Sequence, residues 1–284
     1  MRVVVAGANG QLGTDLVQHC IAQGDEVSAH GRDTLDVTDR DAVRAVLHAV
    51  RPRVVVNCAA WTAVDACEAD ETRAFAQNAH AVRWLAEACD AVGAHLVQVS
   101  TDYVFDGTLD RPYRETDATN PQSVYGASKR AGELEALTLG PAASVVRTSW
   151  VCGRHGSNMV KTVMRLAAER PELSFVDDQV GHPTFTHDLA PVLRRLGLER
   201  VSGVVHATNS GAASWYDVAR AVVGAMGKDP SMVRPITTAE LQPPRPARRP
   251  ANSVLEYVVL ESLGWGPLRH YSEPLAETVA ALAG

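Results

Sequence analysis

Short apolar, β-branched runs alternate with longer helix-forming stretches through the first half of the chain. Arg2 to Ala6, Glu26 to His30, Val54 to Asn57, His95 to Ser100 and Ser144 to Thr148 read as strands. Between them, Gln11 to Gln23, Asp39 to Val50, Thr72 to Val92 and Tyr125 to Leu139 read as helices, with Thr38 or Asp39 placed to cap the second. Strands that alternate with helices pair in parallel through right-handed crossovers, so the expected fold class is α/β, a Rossmann-type doubly wound parallel sheet.

Beyond Trp150 the alternation breaks up and Pro and Arg become more frequent. Helices are expected at Asn158 to Arg170, His187 to Leu198, Ser214 to Met226 and Ser272 to Ala283. The predicted division is a dinucleotide-binding domain over 1–150 and a smaller α/β, mainly substrate-binding region over 151–284, some of whose segments return to the Rossmann sheet. Leu241 to Pro250, with four prolines and three arginines, reads as a loop.

Composition narrows the function classes. A chain of 284 residues that is 46% hydrophobic can bury a substantial core. The net charge of -6 carries no basic footprint, which argues against a nucleic-acid partner. No apolar stretch is long enough to span a bilayer and no secretory signal is evident, so no membrane partner is expected and the cytoplasm is the default address. Five cysteines, none closely paired, read as reduced and packed thiols.

Gly7-Ala8-Asn9-Gly10-Gln11-Leu12-Gly13 follows the first strand at once and opens the first helix. Glycines there let the backbone turn tightly and approach a pyrophosphate at a helix N-terminus, which points to a dinucleotide cofactor. NAD-selective chains place an acidic residue at the end of the second strand, whereas this strand runs into His30-Gly31-Arg32. Arg32 suits a 2′-phosphate and favours NADPH; Asp33 beside it keeps NADH as the alternative.

Tyr125-Gly126-Ala127-Ser128-Lys129 puts a tyrosine and a lysine on one helical face, one turn apart. A lysine ammonium near a phenol is expected to lower its pKa toward neutrality and ready it for proton transfer. Thr101, in the string Ser100 to Gly107, falls at the carboxyl end of the fourth strand, where ligands of open α/β sheets bind and where its hydroxyl can hydrogen-bond a carbonyl. The arginines of the late loop suit a diphosphate, Arg249 ahead of Arg245 and Arg248; solvated loop charges are the other reading of all three.

These strings together resemble the extended short-chain dehydrogenases, and among them the dTDP-4-dehydrorhamnose reductases. The likeness also rests on Asn57-Cys58-Ala59-Ala60, Trp61-Thr62-Ala63-Val64-Asp65, Arg147-Thr148-Ser149-Trp150-Val151, Pro183-Thr184 and Asn209-Ser210-Gly211, and covers nearly the whole chain. The resemblance implies an NADPH-dependent reductase of a nucleotide-linked 4-keto sugar, with Thr101, Tyr125 and Lys129 as catalytic triad and Tyr125 as proton donor. It places Gly7, Gly10, Gln11, Leu12 and Gly13 on the pyrophosphate and Asp36 and Val37 near adenine. Ala59 and Ala60 fall beside the cofactor, Tyr125 and Lys129 on the nicotinamide riboside, and Asp102, Tyr103 and Trp150 around the sugar.

Some members of that family form metal-linked dimers, which leaves a homodimer open. Asp15 stands at a comparable place, but no further ligands match and no metal is assigned. His182 and His187 read as a loop residue and a helix-start residue, and Cys58 as an unactivated thiol. A non-catalytic regulatory subunit of the same fold is the alternative class. Loss of Tyr or Lys would favour it, and both are present.

Overall fold

A strand that is apolar on both faces needs cover on both faces. In the computed structural model, which describes residues 1–283, Val3 and Val5 of strand β1 (Arg2–Ala6) join one hydrophobic cluster and Val4 the opposite one. Val54 and Val56 against Val55 do the same in β3 (Val54–Asn57). With β2 (Glu26–His30), β4 (His95–Thr101), β5 (Ala143–Thr148) and a further strand, Gly203–His206, they make one six-stranded parallel sheet. Its order is β2, β1, β3, β4, β5, Gly203–His206. The chain leaves β1 for one neighbour, β2, and returns on the other side as β3, so the strand order reverses there and opens a crevice beyond the strand ends.

Helices cover both faces. On one side α1 (Gln11–Ala22) brings Leu12 and Leu16 to the cluster of Val3. On the other, α2 (Arg40–Val50) and α5 (Ala81–Val92) bring Val43, Leu47, Leu85 and Cys89 to that of Val4. Asp39 is the cap of α2, its Oδ1 accepting from the amides of Asp41 and Ala42, both at 3.0 Å.

The expected helix over 72–92 is present and runs unbroken, widened in the middle. After α3 (Val64–Ala69), α4 (Glu71–Phe75) passes through a π-helical turn over Ala76–His80 into α5. The wide turn carries buried Asn78, whose Oδ1 accepts from the Trp61 amide at 2.8 Å and whose Nδ2 donates to Trp61 O and Ser128 Oγ. One side chain thus satisfies the loop after β3 and helix α6 (Val124–Leu137) together.

In the second half, α7 (Met159–Glu169), α9 (Trp215–Ala225) and α11 (Ser272–Ala283) pack around Phe185, Leu173 and Val233 as a separate cluster. Strands Leu173–Val176 and Val233–Ile236 pair in parallel at its edge. The second half also sends Gly203–His206 and α8 (Thr186–Glu199) back to the sheet, where Leu189, Leu193 and Leu196 join the cluster of Val3. α10 (Val258–Ser262) adds Leu260 there. Among the described residues no helix is long and apolar enough to cross a membrane.

Candidate active site

The crevice begins at the glycine turn. Gly7 has φ 76°, and a Cβ there would lie 2.6 Å from the Ala59 amide nitrogen. A Cβ on Gly13 would overlap the Gly7 carbonyl oxygen. No side chain caps α1, so its first amides remain available to an anion, and the cradle fits a dinucleotide pyrophosphate. The Gln11 side chain ties this end to the residues after β5, its Nε2 donating to Val151 O at 3.2 Å.

Two cavities meet at this turn. One is lined by Gly7, Gly10, Arg32, Asp36, Val37, Ala59 and Ala60, with Asn9, Thr38 and Gln77 added by the structure. The Thr38 amide and hydroxyl both donate to Asp36 Oδ1, at 2.9 and 2.7 Å. They hold its carboxyl below the usual range, and the charge of Arg32 adds to the effect. The other cavity brings together Gln11, Leu12, Gly13, Thr101, Asp102, Tyr103, Tyr125, Lys129 and Trp150. These residues, far apart in sequence, face one space. Thr62, Ser149 and Trp215 line it too and were missed from sequence.

Tyr125 and Lys129 project from the first two turns of α6, capped by Ser123, whose Oγ accepts from the Gly126 amide at 3.1 Å. Gly126 is where this helix meets the turn after β4; a Cβ there would overlap the Tyr103 carbonyl oxygen. That close approach sets the Tyr103 ring edge-on to Tyr125, with centroids 5.6 Å apart. Lys129 is 3% exposed and donates to Val99 O at 2.6 Å. Burial lowers it to about 8, and Glu133, one turn on, works the other way. Tyr125 departs from the expectation of an acidified phenol: burial pushes it above its ordinary range, and Asp102 adds to the rise. The ammonium is held by a backbone carbonyl rather than by the phenol.

Asp102 is 1% exposed, and burial pushes its carboxyl up to about 6. Trp150, at φ 45°, stacks on Trp215 with centroids 3.6 Å apart and rings 8° from parallel. Arg249 lies in the adjoining cavity with Tyr103, Trp215 and Arg245. Its guanidinium is held by Asp65 in a two-pronged pair, both bonds 2.7 Å. The phosphate-binding role expected of Arg249 therefore meets a carboxylate already on the fork, and Asp65 is held at about 2 chiefly by that arginine.

The remaining candidates are accounted for by packing. Burial pushes the Cys58 thiol up to about 12 and the His182 imidazole down to about 4. His187 Nε2 lies 3.0 Å from Arg269 Nη2, a cation that opposes a metal. Asp15 pairs with His155 at 3.3 Å and accepts from the Thr186 hydroxyl. Among the described residues no group of three or more His, Cys, Asp or Glu could hold a metal ion.

Open helix amides at one end of the crevice and a buried phenol at the other suit hydride delivery paired with proton delivery. The class that this fold and site define is the nicotinamide-dependent oxidoreductases of short-chain dehydrogenase type. The family model for the RmlD substrate binding domain matches residues 1–283. A dTDP-4-dehydrorhamnose reductase of Streptomyces griseus is 46% identical over 100% of this chain and 94% of its own length. A Streptomyces antibioticus protein named "Probable dTDP-4,6-dihydroxy-2-methyloxan-3-one 4-ketoreductase" is also 46% identical, over 98% of this chain and 94% of its own. The crystal structure of a Bacillus anthracis dTDP-4-dehydrorhamnose reductase in complex with NADP superposes with a TM-score of 0.94 at 35% identity, covering 99% of each chain. The chain belongs to the dTDP-4-dehydrorhamnose reductase family.

Proposed function

We propose that this chain reduces the C4 keto group of dTDP-4-dehydro-β-L-rhamnose to give dTDP-β-L-rhamnose, with NADPH as reductant. The observation that carries the reading is the convergence of Thr101, Tyr125 and Lys129 on one cavity that is also lined by Asp102, Tyr103 and Trp150. NADPH, when bound, supplies the hydride. Gly7, Gly10, Gln11, Leu12 and Gly13 hold its pyrophosphate end, and Asp36, Val37, Ala59 and Ala60 surround the adenosine. Arg32, at the same cavity, favours the 2′-phosphate.

Tyr125 donates its proton to the oxygen left on the sugar's fourth carbon. A phenol kept protonated by its burial is suited to act as an acid in the reductive direction. Lys129 holds the nicotinamide ribose and offsets the charge that Tyr125 acquires. Thr101 orients the reacting oxygen, Trp150 and Tyr103 pack the ring, and residues from 151–284, Trp215 and the late loop among them, complete the nucleotide-sugar pocket.

A second reading, another dTDP-linked 4-keto deoxysugar, is favoured by the Streptomyces antibioticus relative, as similar as the rhamnose-named one. Kinetics with a panel of dTDP-4-keto sugars, each with NADPH and with NADH, separate the two. The proposal expects the highest kcat/KM for dTDP-4-dehydrorhamnose with NADPH. A higher value for another sugar would replace it.

A further inference from the structure

Tyr125, Lys129 and Glu133 follow one another at four-residue steps along α6, on a single helical face. The first two line the catalytic cavity, whereas Glu133 is fully buried against the sheet. Each of its oxygens accepts two bonds. Oε1 takes Ser100 Oγ at 2.6 Å and Arg147 Nε at 2.8 Å; Oε2 takes Arg147 Nη2 at 2.8 Å and Arg130 Nη1 at 3.0 Å. Arg147 is itself buried, with its guanidinium over the Phe105 ring at 5.0 Å.

Ser100 and Arg147 are register partners in β4 and β5, and each immediately precedes a residue of the cavity wall, Thr101 and Thr148. Lys129 is fastened to β4 one residue earlier, by the Val99 carbonyl at 2.6 Å. Val99, Ser100 and Thr101 in succession thus carry the lysine, the buried carboxylate and the cavity hydroxyl. Burying an ion pair costs desolvation that often exceeds its attraction, and apolar side chains of similar volume commonly hold a fold as well. What a carboxylate with four directed bonds adds is a single register between the elements that meet on it. We infer that Glu133 is a positioning residue: its buried carboxylate sets the height of α6 over the ends of β4 and β5 and so holds Lys129, as an ammonium, at the cavity.

The charged and titratable groups around Lys129 are Glu133 and, one turn before it, Tyr125 on its own helix, with Cys58 from the turn after β3. Around Glu133 they are Arg130 on its own helix and Arg147 from β5. Burial brings Lys129 down to about 8, and Glu133 opposes that fall. Loss of the Glu133 charge leaves two guanidiniums unopposed, which disfavours the ammonium further. Were Glu133 only a strut, its loss would loosen the helix and admit water, and Lys129 would climb toward the ordinary lysine value of about 10.4. The two accounts therefore differ in sign. What Lys129 is held for, the nicotinamide ribose, rests on the reductase reading, whereas the pinning of the helix does not.

Two variants of the full chain, studied without sugar, separate the charge of Glu133 from its reach. The chain has three lysines, Lys129, Lys161 and Lys228, so carbon-13 at the lysine ε position gives three NMR signals, that of Lys129 being assigned by its loss in K129M. E133Q keeps the shape and removes the charge; it should lower the Lys129 midpoint by about one unit. E133L/R147M removes both charges together and should keep the wild-type Tm, yet bind NADPH about tenfold less tightly by fluorescence titration, because Lys129 is no longer held in place. An E133Q midpoint that is unchanged or rises overturns the inference, as does a double variant that binds NADPH like wild type or fails to fold. Should E133Q not fold, the double variant alone decides. Failure of the keto-sugar reading would appear in turnover and leave both readouts untouched.

Discussion

Trp150 lies flat on Trp215 at 3.6 Å between centroids, which joins the second residue after β5 to the first turn of α9. The stack forms one wall of the catalytic cavity and ties the end of the sheet to the helical cluster of the second half. Trp150 adopts a positive φ, 45°, to reach it, a conformation that costs about 1 kcal/mol or more and that the stack offsets.

Replacing Trp215 with Ala should therefore act on the sugar nucleotide rather than on NADPH. Trp215 lines the catalytic cavity and is absent from the adenosine side. We expect KM for the sugar nucleotide to rise about tenfold or more, with the dissociation constant of NADPH unchanged by fluorescence titration. Equal weakening of both would contradict this placement.

Tyr125→Phe should keep the edge-on contact with Tyr103 and lose only the proton donor. Loss of a general acid costs about 10²–10⁴ in rate. Steady-state kinetics should show kcat falling in that range while NADPH binding persists. Retention of full turnover would remove Tyr125 from the mechanism.

Gly126 between Tyr125 and Lys129 has a steric reason to be glycine. In G126A the new methyl meets the Tyr103 carbonyl, so α6 or the turn after β4 must shift. Overpacking of this kind costs about 1–3 kcal/mol. Both Tm and kcat should fall, and an alanine variant with wild-type values of each would show that the turn yields freely.

The Asp65–Arg249 pair should make its contribution to stability depend on acidity. Asp65 is held at about 2 in the folded chain, below its ordinary value, chiefly by Arg249. Its stabilisation is thus fully present above about pH 4 and is lost as pH falls through about 2. The Tm gap between wild type and D65N should be open near neutral pH and close across that window. A gap that does not change with pH would mean the pair adds nothing electrostatic.

The sheet was legible because its strands are short β-branched runs with apolar residues on both faces, as in Val3-Val4-Val5 and Val54-Val55-Val56. The glycine turn was legible because Gly7 needs a positive φ and Gly13 packs on the Gly7 carbonyl, both demands of the local backbone. The π-helical widening at Ala76–His80 was hidden, because the periodicity of 72–92 is helical throughout and the cause is a tertiary one, Asn78 reaching Trp61 and Ser128. Trp215 was placed in a helix but not in the cavity, since a composition pattern does not say which face of α9 looks at β5. The capture of Arg249 by Asp65 was likewise invisible, because the two are 184 residues apart and meet only when the late loop docks on α3. Spacing suggested that Lys129 acidifies Tyr125, but burial of the phenol and the Val99 carbonyl's hold on the ammonium outweigh it.

The central claim is that hydride passes from the nicotinamide to the sugar's fourth carbon while Tyr125 supplies the proton. It is tested most directly by supplying NADPH deuterated at the transferring position with dTDP-4-dehydrorhamnose and locating the label by NMR. The account predicts deuterium at C4 of dTDP-rhamnose with wild-type protein and a transfer about a hundredfold or more slower with Y125F. Label at another carbon, or transfer by Y125F at the wild-type rate, would contradict it.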